Sequence, residues 1–393
     1  MKILSLKLKN NFLGWDFDEV DFSSNLTLLV GVSGAGKTQI LRGIIDLGRI
    51  ANGKAINGFE WKIRFSTINN TEFIWEGSFD TVDVDGLYIE DEDEPVKSPL
   101  LYEKITSKDT ILVERNEELN QYQGKTIPKL SSHQSMIYLL REESAITEIF
   151  NALNKIEYRD HTRNKNSSFV RVNYQKLEQS LPSHLLKNKY TTLENKYTTL
   201  ESLINSNEDV ETKLYLAYEN KLDIFEEIKS RFIDVFQQIE DIKFASLEKN
   251  GILAKLADVF AATHTIYIKE KSVSKWIRQD RVSSGMMRTL IHLSEIFLSS
   301  EGTVILIDEF ENSLGINCID ILTEDLIHEN KTLQFIATSH HPYIINNIPY
   351  EYWKIVTRRG GHIDIRNASD YNLGKSSKQD AFIQLTKILE KQA

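Results

Sequence analysis

Residues 26–41 read Leu-Thr-Leu-Leu-Val-Gly-Val-Ser-Gly-Ala-Gly-Lys-Thr-Gln-Ile-Leu. The order is a buried strand, a glycine-rich turn and the first turns of a helix. Gly31, Gly36, Lys37 and Thr38 fill every fixed place of G-x-x-x-x-G-K-[ST]. Each residue type has a physical reason. Glycines let a backbone wrap an anion with its N–H groups turned inward. A helix opening near Lys37 adds the positive end of its dipole. Lys37 is expected to reach the β- and γ-phosphates of a nucleoside triphosphate, and the Thr38 hydroxyl to ligate Mg²⁺. Gly31, Ser33, Gly34, Ala35, Gly36, Lys37, Thr38 and Gln39 are therefore the candidate nucleotide contacts of this stretch.

The 393 residues have room for two or three domains, or for one large domain with an insertion. A net charge of −10 argues against loose electrostatic binding of nucleic acid over the whole surface, though not against a local basic groove. Cys318 is the single cysteine, which removes intrachain disulfides and zinc ribbons and suits a reducing cytosol. Residues 1–9 alternate apolar and polar, as an amphipathic strand does and a signal peptide does not. No apolar run approaches the roughly 20 residues of a membrane helix. The expectation is a cytoplasmic protein with no membrane contact.

Along the chain, a strand over 2–8 and an edge strand before Phe22 precede the strand 26–30, and a helix is predicted over 37–50. Phe59, Trp61, Ile63, Phe65, Phe73 and Trp75 then keep period two, with a hairpin turn at Asn69-Asn70. Strand character continues over 100–113, so an antiparallel β appendage is expected on a parallel core. The acidic run 90–94 reads as a solvated loop. Residues 135–157 are helical in pattern. The basic stretch 158–176 is either a nucleic-acid or partner contact or a solvated connector. NKYTTLE occurs twice in succession over 188–201. Leu186, Tyr190, Leu193, Tyr197, Leu200 and Ile204 keep a coiled-coil spacing. A second helix is expected from Val210 to Ile239. The pair forms either a projecting antiparallel hairpin, with arms of roughly 35–45 Å, or part of an ordinary bundle. Further on come a helix to about Ser299, an apolar strand 303–307, a helix 316–329, a strand 333–338, a closing hairpin around Gly360-Gly361 and a last helix 378–390.

Asp308 and Glu309 end a short apolar strand downstream of the phosphate loop. Asp308 is expected to hold the Mg²⁺ shell and Glu309 to polarise the attacking water. His340 stands one strand later, placed to touch the γ-phosphate or that water, with His341 as its neighbour. Ser283, Ser284 and Gly285 open a helix and are either a second anion site or a helix cap.

These residues carry a resemblance. GVSGAGKT, VSSGM, VILIDEFENSL and TSHHP, with the opening run KLKNNFLGWDFDEVDF, resemble the ABC-type ATPases of the SMC, RecF and OLD group, which is also labelled AAA-like. The resemblance covers about 1–155 and 250–393. It departs at Ser33, where the group often has Asn, at Phe310, where it often has Pro, and at Gly315-Ile316, where it often has His-Pro. For the group's lid glutamine, Gln134 and Gln123 are the candidates. The implied fold is α/β: an ABC-type P-loop ATPase head with an antiparallel β appendage and an inserted helical, coiled-coil hairpin. The implied domains are an N-terminal lobe (1–155), the insertion (156–249) and a C-terminal lobe (250–393). Two heads would trap two molecules of ATP, with Mg²⁺, between Lys37 of one and Ser283, Ser284 and Gly285 of the other. Transporter ATPases of this type place the signature about a hundred residues after the phosphate loop. Ser283 lies much farther on, which favours the SMC/RecF side.

Three functions follow as expectations. One is the sensor or scaffold ATPase of an anti-phage defence system, similar to components of OLD-like, Septu or PARIS systems. Another is a DNA-repair ATPase of the RecF kind. The third is an assembly module that uses ATP with little turnover. The first reading implies a homo-oligomer, at least a head-to-head dimer, with a separate effector nuclease and nucleic acid or a phage protein as trigger. A separate effector is expected because too little chain follows His340 for a nuclease domain of ordinary size.

Overall fold

A computed structural model of the chain describes residues 1–83, 97–108, 110–159, 197–206, 208–245, 265–310, 332–340, 348–371, 384, 385 and 387. Those residues group into two compact units. The first holds the described residues of 1–159, 301–310 and 326–393, and the second holds those of 160–300. The helix Ser284–Leu298 falls in the second unit.

The first unit is built on a fifteen-stranded sheet. Its strands are β1 (Lys2–Asn10), β2 (Trp15–Phe17), β3 (Val20–Asp21), β4 (Leu26–Val30), β5 (Phe59–Ser66), β6 (Glu72–Phe79), β7 (Leu100–Ser107), β8 (Thr110–Arg115), β9 (Asn120–Tyr122), β10 (Lys125–Thr126), β11 (Ile156–Arg159), β15 (Val304–Ile307), β16 (Gln334–Ser339), β17 (Trp353–Arg359) and β18 (His362–Asn367). The order from one edge is β10-β9-β8-β7-β6-β5-β1-β2-β18-β17-β4-β16-β15-β11, with β3 on β1. Strands β17, β4, β16, β15 and β11 run parallel. Their sequences show why. Every residue of LTLLV, VILI and QFIATS is buried, the mark of strands covered on both faces. β1, β5, β6, β7, β8, β9 and β10 pair antiparallel in that order, and β5 alternates buried and more exposed residues as a strand with one wet face must. The turn at Asn69-Asn70 is present, with Asn70 at φ 57°.

Helix α1 (Lys37–Ala51) lays Ile40, Leu41, Ile44, Leu47 and Ile50 into the core. The helix predicted over 135–157 is instead two helices and a strand. α2 (Met136–Leu139) and α3 (Ser144–Leu153) are separate, and Ile156 opens β11 against β15. Glu103 explains part of this. It is 1% exposed and accepts from Trp75 Nε1 at 2.9 Å, Ser135 Oγ at 2.5 Å and Met136 N at 2.7 Å. One buried carboxylate thereby ties the β appendage to the start of α2.

In the second unit, the helix expected over 210–239 breaks. It is α5 (Val210–Glu219) and α6 (Asp223–Val235), and Ile239 begins β12 (Ile239–Ala245). Lys221, at φ 52°, makes the break after Asn220 caps α5. α4 (Leu200–Ile204) precedes them, and α7 (Ser284–Leu298) packs on both α5 and α6. β12 pairs with β13 (Thr265–Glu270), and β13 with β14 (Ile277–Arg278). Lys213, 7% exposed, donates from Nζ to the carbonyls of Ile204 and Leu298, closing the ends of α4 and α7. In the described part of the expected hairpin, α4 packs on α5, and α5 packs on α6. Leu186, Tyr190 and Leu193 of the heptad seam lie outside the described residues. So do the acidic run 90–94, the basic stretch beyond Arg159, the helix 316–329 and most of the last helix.

Removing the Glu103 carboxylate leaves three buried donors without their acceptor. Glu103→Ala is expected to destabilise the fold by roughly 3 kcal/mol in chemical denaturation. Burial raises the Glu103 pKa, against the opposing pull of Met136 N–H, Ser135, Trp75 and Arg115. A raised folded value means stability present at low pH and lost as pH rises through that value. The stability difference between wild type and Glu103→Gln should shift towards the Gln variant as pH increases.

Candidate functional site

The carboxyl ends of four adjacent parallel strands deliver the candidate residues. Gly31 follows β4, Asp308 follows β15, Ser339 ends β16 just before His340, and β11 carries Tyr158. Ligands of open α/β sheets bind at this edge.

The phosphate loop is shaped by its glycines. Gly34 and Gly36 sit at φ 83° and 100°, where an L side chain is strained. A Cβ on Gly31 would come 2.4 Å from the carbonyl oxygen of Val356, so β17 permits no side chain there. A Cβ on Gly36 would meet the Ile363 side chain at 2.9 Å, and one on Gly34 would meet nothing within 4 Å. Gly36 is also the N-cap of α1. It offers no side chain to the leading N–H groups, and the first turn holds no acid. Those donors and the open concave side fit a phosphate. Ala35 and Gly36 are buried, while Ser33 and Gly34 are exposed and Gln39 is half-buried. Lys37 Nζ, on a residue 8% exposed, donates to the carbonyls of Gly31 at 2.9 Å and Val32 at 3.0 Å.

Thr38 Oγ1 lies 3.1 and 3.0 Å from the two carboxylate oxygens of Asp308. Hydroxyl and carboxylate together are the oxygen donors a hard divalent cation takes, so the pair fits Mg²⁺. Glu309 follows at φ 50°, an uncommon conformation for a residue other than glycine. Its N–H donates to Thr338 Oγ1 at 2.8 Å, and Thr338 Oγ1 donates to Asp308 Oδ1 at 2.6 Å. Tyr158 OH lies 3.5 Å from Asp308 Oδ2. His340 is exposed at the end of β16, and His341 lies outside the described residues.

Loop, Thr38, Asp308 and Glu309 thus meet in the first unit. Ser283, Ser284 and Gly285 belong to the second, where Ser283 caps α7 by accepting from Met286 N at 3.2 Å. Of the two lid candidates, Gln123 sits at φ 50° in the turn between β9 and β10. The Gln134 carbonyl accepts from Arg115. Sequence reading missed Thr338 and Tyr158 as parts of this cluster. It also missed a groove of about 160 Å³ beside α1, lined in part by Phe12, Trp15, Gln39 and Arg42.

The model of the AAA ATPase domain family matches residues 1–345. The chain belongs to the AAA ATPase domain family. It is an ATPase. No curated protein matches it. Among solved structures, this AAA ATPase is similar to an SMC head bound to the C-winged helix domain of ScpA, at 14% identity and TM-score 0.49, covering 93% of this chain and 97% of that one. It is similar also to the SMC head domain from Thermotoga maritima, at 12% identity and TM-score 0.42, covering 93% and 99%. A third is the SMC head with an extended coiled coil bound to the C-terminal domain of ScpA from Pyrococcus furiosus, at 15% identity and TM-score 0.44, covering 99% of each chain. Among the described residues no helix is long and apolar enough to cross a membrane.

The glycine contacts rank the loop positions. Gly31→Ala forces a Cβ onto a backbone oxygen, Gly36→Ala onto a movable side chain, and Gly34→Ala only into a strained φ. Thermal denaturation should show the largest loss for Gly31→Ala and a loss of about 1 kcal/mol for Gly34→Ala. ATP affinity should fall in the same order.

Proposed function

We propose that the chain hydrolyses ATP between the loop 31–38 and the acidic pair, and that two heads pair around ATP. The convergence of Thr38 on Asp308 beside Glu309 carries this reading. Lys37, now folded onto the loop carbonyls, would turn its charge to the phosphates. Thr38 and Asp308 would hold Mg²⁺, which offsets charge on the phosphate oxygens. Glu309 would take a proton from the attacking water, and His340 would hold the γ-phosphate end. The groove beside α1 would receive the base, since Phe12 and Trp15 offer aromatic surface there. Ser283, Ser284 and Gly285 would face the phosphates of a second copy, with 1–155 and 250–393 as the two lobes and 156–249 as the insertion.

The cellular role we propose is a cytoplasmic sensor or scaffold of an anti-phage defence system with a separate effector subunit. Its support is the resemblance of the four motifs and the long separation of Lys37 from Ser283.

Glu309→Gln is expected to keep ATP binding while turnover falls at least about 100-fold. Its ATP-bound form should sediment as a dimer. Adding Ser284→Arg should abolish that dimer and leave binding by the monomer intact. Turnover at the wild-type rate in Glu309→Gln removes the role given to Glu309. Loss of monomer binding in Ser284→Arg removes the arrangement across two copies.

A further inference from the structure

We infer that Thr338 is the positioning residue of the hydrolytic centre, fixing the metal-side carboxylate and the backbone of the water-activating residue from one point. The inference deepens the proposed function and rests on its assignment of Asp308 and Glu309.

Strands β15 and β16 pair in parallel register up to Ile307 opposite Ala337. One step further the ladder stops, and three consecutive residues turn onto Thr338. Its hydroxyl donates to Asp308 Oδ1 at 2.6 Å and accepts from Glu309 N at 2.8 Å. Its carbonyl accepts from Phe310 N at 3.0 Å. A threonine hydroxyl carries one proton and two lone pairs, so it can serve both neighbours at once. Valine has the same shape and can serve neither. Thr338 is 1% exposed, so bulk water has no access with which to replace the hydroxyl.

Two consequences follow. Asp308 is held at Oδ1 by the Thr338 donor while Thr38 lies against both carboxylate oxygens, so the two oxygen ligands meet without relying on the cation to gather them. Glu309 is held at φ 50° by an acceptor placed for its N–H, and that backbone angle sets where its carboxylate projects. Phe310, 2% exposed, anchors the far side of the turn in the core. The residue touches neither nucleotide nor water in this scheme and acts through the pair it holds. Partners of metal-binding side chains are typically worth about 10- to 100-fold in activity or metal affinity.

The test uses the full chain carrying Thr338→Val, Thr338→Ala or Thr338→Ser, with Glu309→Gln in parallel. Steady-state ATPase assays give kcat, KM and the Mg²⁺ concentration for half-maximal rate. Equilibrium titration with ATP in a chelator reads the loop alone. We expect Thr338→Val to lower kcat by about 10- to 100-fold and to raise the Mg²⁺ requirement several-fold. ATP affinity in chelator should stay within about 3-fold of wild type, and Thr338→Ser should recover most of the rate. If the valine variant does not fold, the alanine variant is read in its place. Wild-type kcat without the hydroxyl, or equal loss in the serine variant, overturns the inference while a slow Glu309→Gln leaves the proposed function standing. Full turnover in Glu309→Gln overturns both.

Discussion

A single contact between distant parts of the chain makes the first unit a candidate ATPase: the Thr38 hydroxyl against the Asp308 carboxylate. The two residues are 270 positions apart. Neither is placed by its local sequence alone. Thr38 stands in the first turn of α1 because β4 and the glycine turn deliver it there. Asp308 stands at the end of β15, and β16 lies between β15 and β4. All three strands must be buried on both faces and run parallel for their carboxyl ends to align. Their unbroken apolar sequences meet that demand.

The surroundings of the contact follow from satisfying polar groups at a buried sheet edge. The Gly36 cap leaves the first N–H groups of α1 for an anion. Lys37 covers the carbonyls of Gly31 and Val32. Thr338 absorbs the end of β15 and so permits the left-handed turn at Glu309, which a regular ladder would forbid. The β appendage has its own buried polar anchor in Glu103. The second unit closes its helix ends through Lys213. In each place a polar side chain is buried with its partners provided, as the desolvation of such groups requires.

What could be read from sequence was what local pattern determines. The strand-turn-helix of 26–51, the period-two strands around Trp61 and Trp75, and the acidic pair after VILI stand where the residues pointed. Two of the misreadings share one cause. Residues 156–157 and 239 end the predicted helices, where the apolar spacing fits a helix continuing from its neighbour as well as the start of a strand. Only pairing with β15 and β13 decides them. The break at Lys221 gave no glycine or proline as a signal. Thr338 was legible as a strand end, but its two hydrogen bonds depend on the neighbouring strand being β15. The topology, absent from any local window, supplies that.

The central claim is that Thr38 and Asp308 act together on a magnesium-bound nucleotide. A double-mutant cycle of Thr38→Val and Asp308→Asn, read as ATP affinity with Mg²⁺ and again in chelator, measures this directly. The expected result is a coupling of about 1 kcal/mol or more with Mg²⁺ and near-additivity in chelator. Additive effects with Mg²⁺ present would contradict the account.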